Sequence, residues 1–387
     1  MAGVIHKEDL KRIAGFSANG SLVVSLYLDV DGAKYPRIQD YERELHGLEK
    51  KAEDQWLNGD QEISKEKKVA LKKDLKKINS FVTGKWHRQG HKGLAIFSCV
   101  EAGFWEVYEF PVGLTSALTI GHEPHTVKLT ALMDEHKRFC VVSVNRNKSR
   151  FFTVYLGGIE EHHGVLIDDS VPDQVKEGEW AGLRQSRIAR HIEDHVQRHL
   201  KEVARLTYNF FLGHNFDLLV VAGHKELIPR FESLLHPYLK ERLAGEFQAE
   251  PDAPLSEIIK RGLLVEKDFR VHEEQLLFER LNEENHKGGL GVVGLKPTID
   301  ALMRGQADTL LLAADSSVSG FICQKDRCLS LESGGCQICG EALSPSKDIV
   351  EDMVQIALVQ DVKIEHLSHV EKFRAEAKYG ALLRFGL

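Results

Sequence analysis

Long apolar runs are missing from this chain. No stretch of its 387 residues approaches the roughly 20 consecutive apolar residues that cross a bilayer. The opening residues, MAGVIHKEDLKRIAG, lack the apolar core of a signal peptide, so the expected compartment is the cytoplasm. There is no Walker loop and no G-x-S-x-G elbow, which removes two large enzyme classes. Gly288-Gly289-Leu290-Gly291 reads as a turn. No repeat and no low-complexity segment is found. An excess of positive charge is missing too: 51 Lys and Arg face 58 Asp and Glu, for a net charge of −7. Any contact with nucleic acid must then rest on local basic patches. Cysteine is scarce, with six in all. Cys99 and Cys140 stand alone in strand-like runs and read as buried hydrophobes; the other four are clustered. What remains, 42% hydrophobic and 28% charged, describes an ordinary soluble protein long enough for two or three domains.

The most patterned stretch is 180–205, WAGLRQSRIARHIEDHVQRHLKEVAR. Ile188, Ile192, Val196, Leu200 and Val203 recur at spacings of four, four, four and three, one stripe of a helix. The remaining positions carry Arg184, Arg187, Arg190, His191, His195, Arg198, His199, Lys201 and Arg205 against Glu193, Asp194 and Glu202. A small turn at Ala181-Gly182 followed by cations on a rigid helix suits a polyanion. A solvated helix face is the other reading of the same charges.

The order of small turn, Gln-Ser, Arg-x-x-Arg and a long helix ending in Val-Ala resembles the central domain of the archaeo-eukaryotic class 1 peptide-chain release factors. It is similar above all to their bacterial relatives, the Balon-type hibernation factors and Pelota-like proteins. The resemblance implies a central RNase H-like α/β domain. In true release factors the turn is Gly-Gly-Gln and serves peptidyl-tRNA hydrolysis. Aligned on Arg187-Ile188-Ala189-Arg190, this chain has Ala181-Gly182-Leu183 there, with Gln185 two residues on. That departure argues against hydrolysis and leaves the RNA-facing helix in place, with Gly182, Arg184, Gln185, Arg187, Arg190 and His191 as candidate RNA contacts.

The chain divides into three expected α/β domains. Residues 1–137 hold a strand at 21–29, helices at about 38–57 and 64–82, and a hairpin at 93–100 and 104–110. The second helix carries Lys65, Lys67, Lys68, Lys72, Lys73, Lys76 and Lys77, with Val69, Leu71, Leu75, Ile78 and Val82 as its buried side. The same order resembles the codon-reading domain of the family, but the Asn-Ile-Lys-Ser motif is absent. The domain is then expected to face the decoding centre without reading a codon, with Lys65, Lys68 and Lys72 on ribosomal RNA; a solvated helix is the alternative. Residues 138–268 hold strands at 139–144 and 151–156, an exposed loop at 160–179, the long helix, a buried strand at 217–223 and a helix over 225–239. Residues 269–387 hold a helix over 272–285, a short strand, a helix at 295–303 and a strand from 307. Gly291-Val292-Val293-Gly294 and the tail 379–385 resemble the family's C-terminal domain, which folds like the ribosomal proteins that bind kinked RNA and contacts a translational GTPase. In bacteria that GTPase would be elongation factor Tu.

Cys323, Cys328, Cys336 and Cys339 follow C-x4-C-x7-C-x2-C beside Gly334, Gly335 and Gly340. Zinc takes four thiolates at tetrahedral angles, and glycine loops let them converge. The filled set predicts a structural zinc knuckle rather than a catalytic ion. His191, His195 and His199 share one side of the helix, where contact with phosphates or a surface position is expected ahead of metal binding. Taken together, the resemblance implies a codon-independent ribosome-binding factor that occupies the A site of idle or stalled ribosomes, in hibernation or rescue. Its partners would be ribosomal RNA and the GTPase, not DNA or membrane. Two alternatives stay open: a peptidyl-tRNA hydrolase or tRNA-cleaving factor working through Gln185, and a non-ribosomal interaction protein that keeps the fold.

Overall fold

The computed structural model describes residues 5, 7–18, 20–57, 63–156, 158–162, 167–168, 181–313 and 317–386; for 7, 167–168 and 181–189 it gives the backbone alone. The chain is mixed α/β and forms two compact units, 1–135 with 274–387, and 136–273.

The first unit opens with α1 (Lys7–Ala14), β1 (Val23–Asp29), α2 (Ile38–Trp56), α3 (Lys65–Gly84), β2 (Gly93–Cys99), β3 (Phe104–Phe110), β4 (Ala117–Gly121) and α4 (Val127–Glu135). The strands make one antiparallel sheet in the order β3-β2-β1-β4, with Val24 opposite both Ser98 and Ile120. Central β1 is buried along its whole length. Helices α2 and α3 cover one face through Tyr41, Leu45, Leu71, Leu75, Ile78 and Val82. Ser64 caps α3 by accepting the Lys67 N–H at 3.3 Å. Val69, expected on the buried side, is 52% exposed: the true stripe runs 71, 75, 78, 82, and position 69 falls outside it.

The second unit holds β5 (Phe139–Val144), β6 (Lys148–Tyr155), β7 (Gly158–Glu161), β8 (Ile167–Asp168), α5 (Ala181–His214), β9 (Leu218–Gly223), α6 (Ile228–Leu234), α7 (Pro237–Lys240), β10 (Leu243–Gln248) and the first part of α8 (Leu255–His286). The sheet order is β10-β9-β5-β6-β7, with β8 on β6; β10, β9 and β5 run parallel. Leu219 and Val221 of β9 face a core shared with α5 and α6, while Leu218, Val220 and Ala222 face a core shared with α8. That two-sided burial explains the unbroken apolar run of the strand. Gly223, at φ +152°, brings its backbone so close to the Val144 carbonyl that a Cβ would lie 2.3 Å from it. Three expectations need correction. The loop expected over 160–179 begins with residues of strand β7, and β10 was not foreseen. The helix expected over 225–239 is two helices, because Pro237 forces His236 into extended backbone and cannot donate an N–H.

The rest of the first unit follows: β11 (Gly291–Val293), α9 (Leu295–Met303), β12 (Ala307–Leu312), β13 (Gly320–Ile322), β14 (Leu329–Ser330), β15 (Ser344–Ser346), α10 (Ile349–Val359), β16 (Lys363–His366), a π-turn (Phe373–Ala377) and β17 (Tyr379–Leu383). One sheet is ordered β11-β17-β12-β16 and a small one β14-β13-β15. Phe278 and Leu281, late in α8, join the core with Phe373 and Leu382. Residues 289–294 do satisfy a G-x-G-x-x-G spacing, yet Gly291–Val293 is itself strand β11, antiparallel to β17. A dinucleotide loop would instead turn from a strand into a helix N-terminus.

Candidate functional site

Helix α5 starts at Ala181, so the residues expected to form a turn, Ala181 and Gly182, open the helix instead. Gly182, Arg184, Gln185 and Arg187 fall in its first two turns; their side chains lie outside the described residues, as does that of Ile188. The helix is anchored by Val196, Leu200 and Val203, each 3% exposed or less, with Ile192 packed against them. Arg190, His191, His195, Arg198, Lys201 and Arg205 are exposed. Arg205 pairs with Glu202, and the Arg198 Nε donates to the Asp194 carbonyl at 3.3 Å. His199 corrects the surface expectation: it is 2% exposed, with its Nε2 3.1 Å from the Ser149 hydroxyl of β6. The spacing 191, 195, 199 put three histidines on one side, but the helix turns the last of them into the core.

On α3, Lys65 and Lys72 are exposed, whereas the half-buried Lys68 donates to the Leu57 carbonyl at 3.0 Å and so closes the end of α2. Lys77 sits 4.2 Å from the centre of the Trp105 ring. Asp74 is buried and accepts from the Ser98 hydroxyl at 2.5 Å and the Val100 N–H at 2.9 Å. Burial still pushes its carboxyl above the usual aspartate range.

The cysteine cluster lies on loops of the small sheet. Cys323 Sγ is 3.6 Å from Cys339 Sγ and 3.8 Å from an Asp326 carboxylate oxygen, which is 3.5 Å from Cys336 Sγ. All four ligand atoms fall within 4.8 Å of one another. A tetrahedral zinc with bonds near 2.3 Å needs ligand separations of about 3.8 Å, so these atoms fit a metal of that kind. Backbone N–H groups of Asp326 and Ile338 point at Cys323 Sγ and Cys336 Sγ, each at 3.4 Å. The N–H groups of Cys339 and Ile338 lower the Cys336 thiol, while the Asp326 carboxylate holds the proton of Cys339, pushed up to about 12. A cation bound by these groups would displace their protons. The group that converges is Cys323, Asp326, Cys336 and Cys339; Cys328 stays beside Cys336 but outside the set. Asp326 was missed in the sequence, although Cys323-x-x-Asp326 repeats the spacing of Cys336-x-x-Cys339. Among the described residues no helix is long and apolar enough to cross a membrane.

Residues 124–266 match the sequence model of bacterial archaeo-eukaryotic release factor family 10. A Pelota homologue of Methanocaldococcus jannaschii is 29% identical over 182 residues, 44% of this chain and 52% of that one. The chain thus spans about half the length of that curated relative. Among solved structures, ribosome-bound archaeal Pelota, described with ABCE1, aligns at 16% identity over 74% of this chain and 73% of its own, with a TM-score of 0.41. Dom34 of S. cerevisiae, described as interacting with Hbs1, aligns at 10% identity over 76% and 80%, also with a TM-score of 0.41. Residues 124–266 are thus similar to a bacterial archaeo-eukaryotic release-factor family, and part of the chain is similar to archaeal Pelota.

Proposed function

We propose that the protein is a translation factor that binds the A site of idle or stalled ribosomes, in hibernation or rescue, without reading a codon and without hydrolysing peptidyl-tRNA. One observation carries the reading. The segment matching the family model contains a 34-residue helix, seated in the core by one stripe, whose N-terminus reads Ala-Gly-Leu where the release factors have Gly-Gly-Gln. The cationic positions of that helix, with Arg184, Arg187, Arg190 and His191 foremost, together with Gly182 and Gln185, are the proposed contacts with ribosomal RNA. Lys65 and Lys72 of α3 add a second contact. The C-terminal part of the chain would bind a translational GTPase, in bacteria elongation factor Tu, and the cysteine cluster would hold a structural zinc. The likeness to Pelota supports the ribosome and the GTPase as partners.

The test is co-sedimentation with vacant 70S ribosomes over a salt series, beside an Arg184→Ala/Gln185→Ala/Arg187→Ala variant. The same samples are assayed for release of labelled peptide from P-site tRNA. Binding that weakens with salt, fails in the variant and releases no peptide is the expected result. Release by the unaltered protein would make it a hydrolase working through Gln185. Absence of binding would leave an interaction protein that retains only the fold.

A further inference from the structure

The cysteine loop is tied to the segment around Glu123 through Arg327. Arg327 follows Asp326 directly, in left-handed backbone at φ +57° that a non-glycine residue adopts only when its surroundings impose it. Its N–H donates to the Cys323 carbonyl at 2.8 Å, and the Cys323 N–H donates to the Cys328 carbonyl at 2.8 Å. The loop that presents two candidate ligands therefore also fixes the direction of the Arg327 side chain. The guanidinium makes a two-pronged ion pair with Glu123, one arm at 2.8 Å, and donates to the Gln355 side-chain oxygen at 3.1 Å.

Residues 122–126 link β4 to α4, and α10 grips this link and the first residue of α4. The Gln355 amide donates to the Pro124 carbonyl at 2.7 Å. The Glu351 carboxylate accepts the Thr126 N–H at 2.5 Å, the Thr126 hydroxyl at 2.9 Å and the Val127 N–H at 3.0 Å. Thr126 is fully buried and Gln355 is 1% exposed. Arg327 is thus a strut between the cysteine loop and a buried polar clamp.

We infer that a divalent metal held by Cys323, Asp326, Cys336 and Cys339 fastens residues 123–127 onto the C-terminal part of the chain, with Arg327 as the connecting strut. The inference rests on the metal reading of the cluster and is independent of the ribosome reading. Asp326 is the fourth ligand; Cys328 supplies only its carbonyl to the loop. Without the ion, three thiols and a carboxylate no longer share a centre, the left-handed turn at Arg327 loses its constraint, and the pair with Glu123 loosens.

The experiment uses the full chain, purified with zinc and then stripped with a chelator. Zinc is measured by atomic absorption, and amide exchange is followed at 118–130. One zinc per chain is expected, and its removal should speed exchange at Thr126 and Val127 by about tenfold or more, with β1 unchanged. Arg327→Gln should speed the same amides while keeping its zinc. Asp326→Asn should lose zinc and Cys328→Ser should retain it. Unchanged protection at 126–127 after zinc removal, or in Arg327→Gln, would overturn the coupling. Loss of zinc from Cys328→Ser but not from Asp326→Asn would overturn the ligand set, and so would failure of the native chain to bind zinc.

Discussion

Helices α3 and α5 are both long, both cationic and both laid on a sheet, yet they dispose of their polar side chains differently. On α3 the cations close to the sheet serve the fold: Lys68 caps the end of α2 and Lys77 lies over Trp105. The buried polar residue of α3 is an acid, Asp74. Among the described residues of α5 the buried titratable side chain is a base, His199, while Arg198 and Arg205 stay outside. A count of positive residues therefore overstates what a polyanion meets on either helix. The cations that matter to a partner are those the fold leaves in water.

The largest break in that comparison is expected at His199. His199→Ala would remove a nearly fully buried ring and strand the Ser149 hydroxyl, a loss of about 3 kcal/mol. His195→Ala, one turn earlier and exposed, should stay within about 0.5 kcal/mol. Urea unfolding of both variants decides it. Equal effects would mean that His199 belongs with the exposed face after all.

The matching break on α3 is Asp74. Asp74→Ala leaves the Ser98 hydroxyl and Val100 N–H without their acceptor, worth about 2 kcal/mol. The pH response separates charge from hydrogen bonding. Burial raises the folded-state carboxyl above the unfolded value near 3.9, so the folded chain holds this proton more tightly. The contribution of Asp74 is then greatest below that unfolded value and is lost as pH rises through the raised one. Asp74→Asn keeps an acceptor and should flatten the fall in stability between pH 4 and pH 7. A variant with the same slope as the parent would show that Asp74 does not titrate in this window.

How legible these features were depends on how local their causes are. The stripe at 71, 75, 78 and 82 and the Ser64 cap are written in short spacings, and so is the two-sided burial of 218–223. Strands β7 and β10 have no such signal: GIEE and LAGEFQ are polar edge segments that become strands only because β6 and β9 offer them partners. The four cysteines were visible as a cluster. Asp326 was not, because a carboxylate between two cysteines looks like any loop acid until the loop closes. The clamp of Glu123, Arg327, Glu351 and Gln355 joins positions more than 200 residues apart in sequence, and no spacing rule reaches that far.

The smallest expected effect sharpens the comparison most directly, because it asks which lysines of α3 are available. Each lysine that neutralises a phosphate contributes roughly one unit to the slope of log affinity against log salt. Lys72 is exposed on the helix, so Lys72→Ala should lower the slope for ribosome binding by about 1 without altering unfolding. Lys68→Ala should leave the slope alone and instead cost about 1 kcal/mol of stability, since its ammonium is committed to the Leu57 carbonyl. If both variants lowered the slope equally, Lys68 would have to leave Leu57 on binding, and the end of α2 would open as the factor docks. If neither did, α3 would be a solvated face and the contact with RNA would rest on α5 alone.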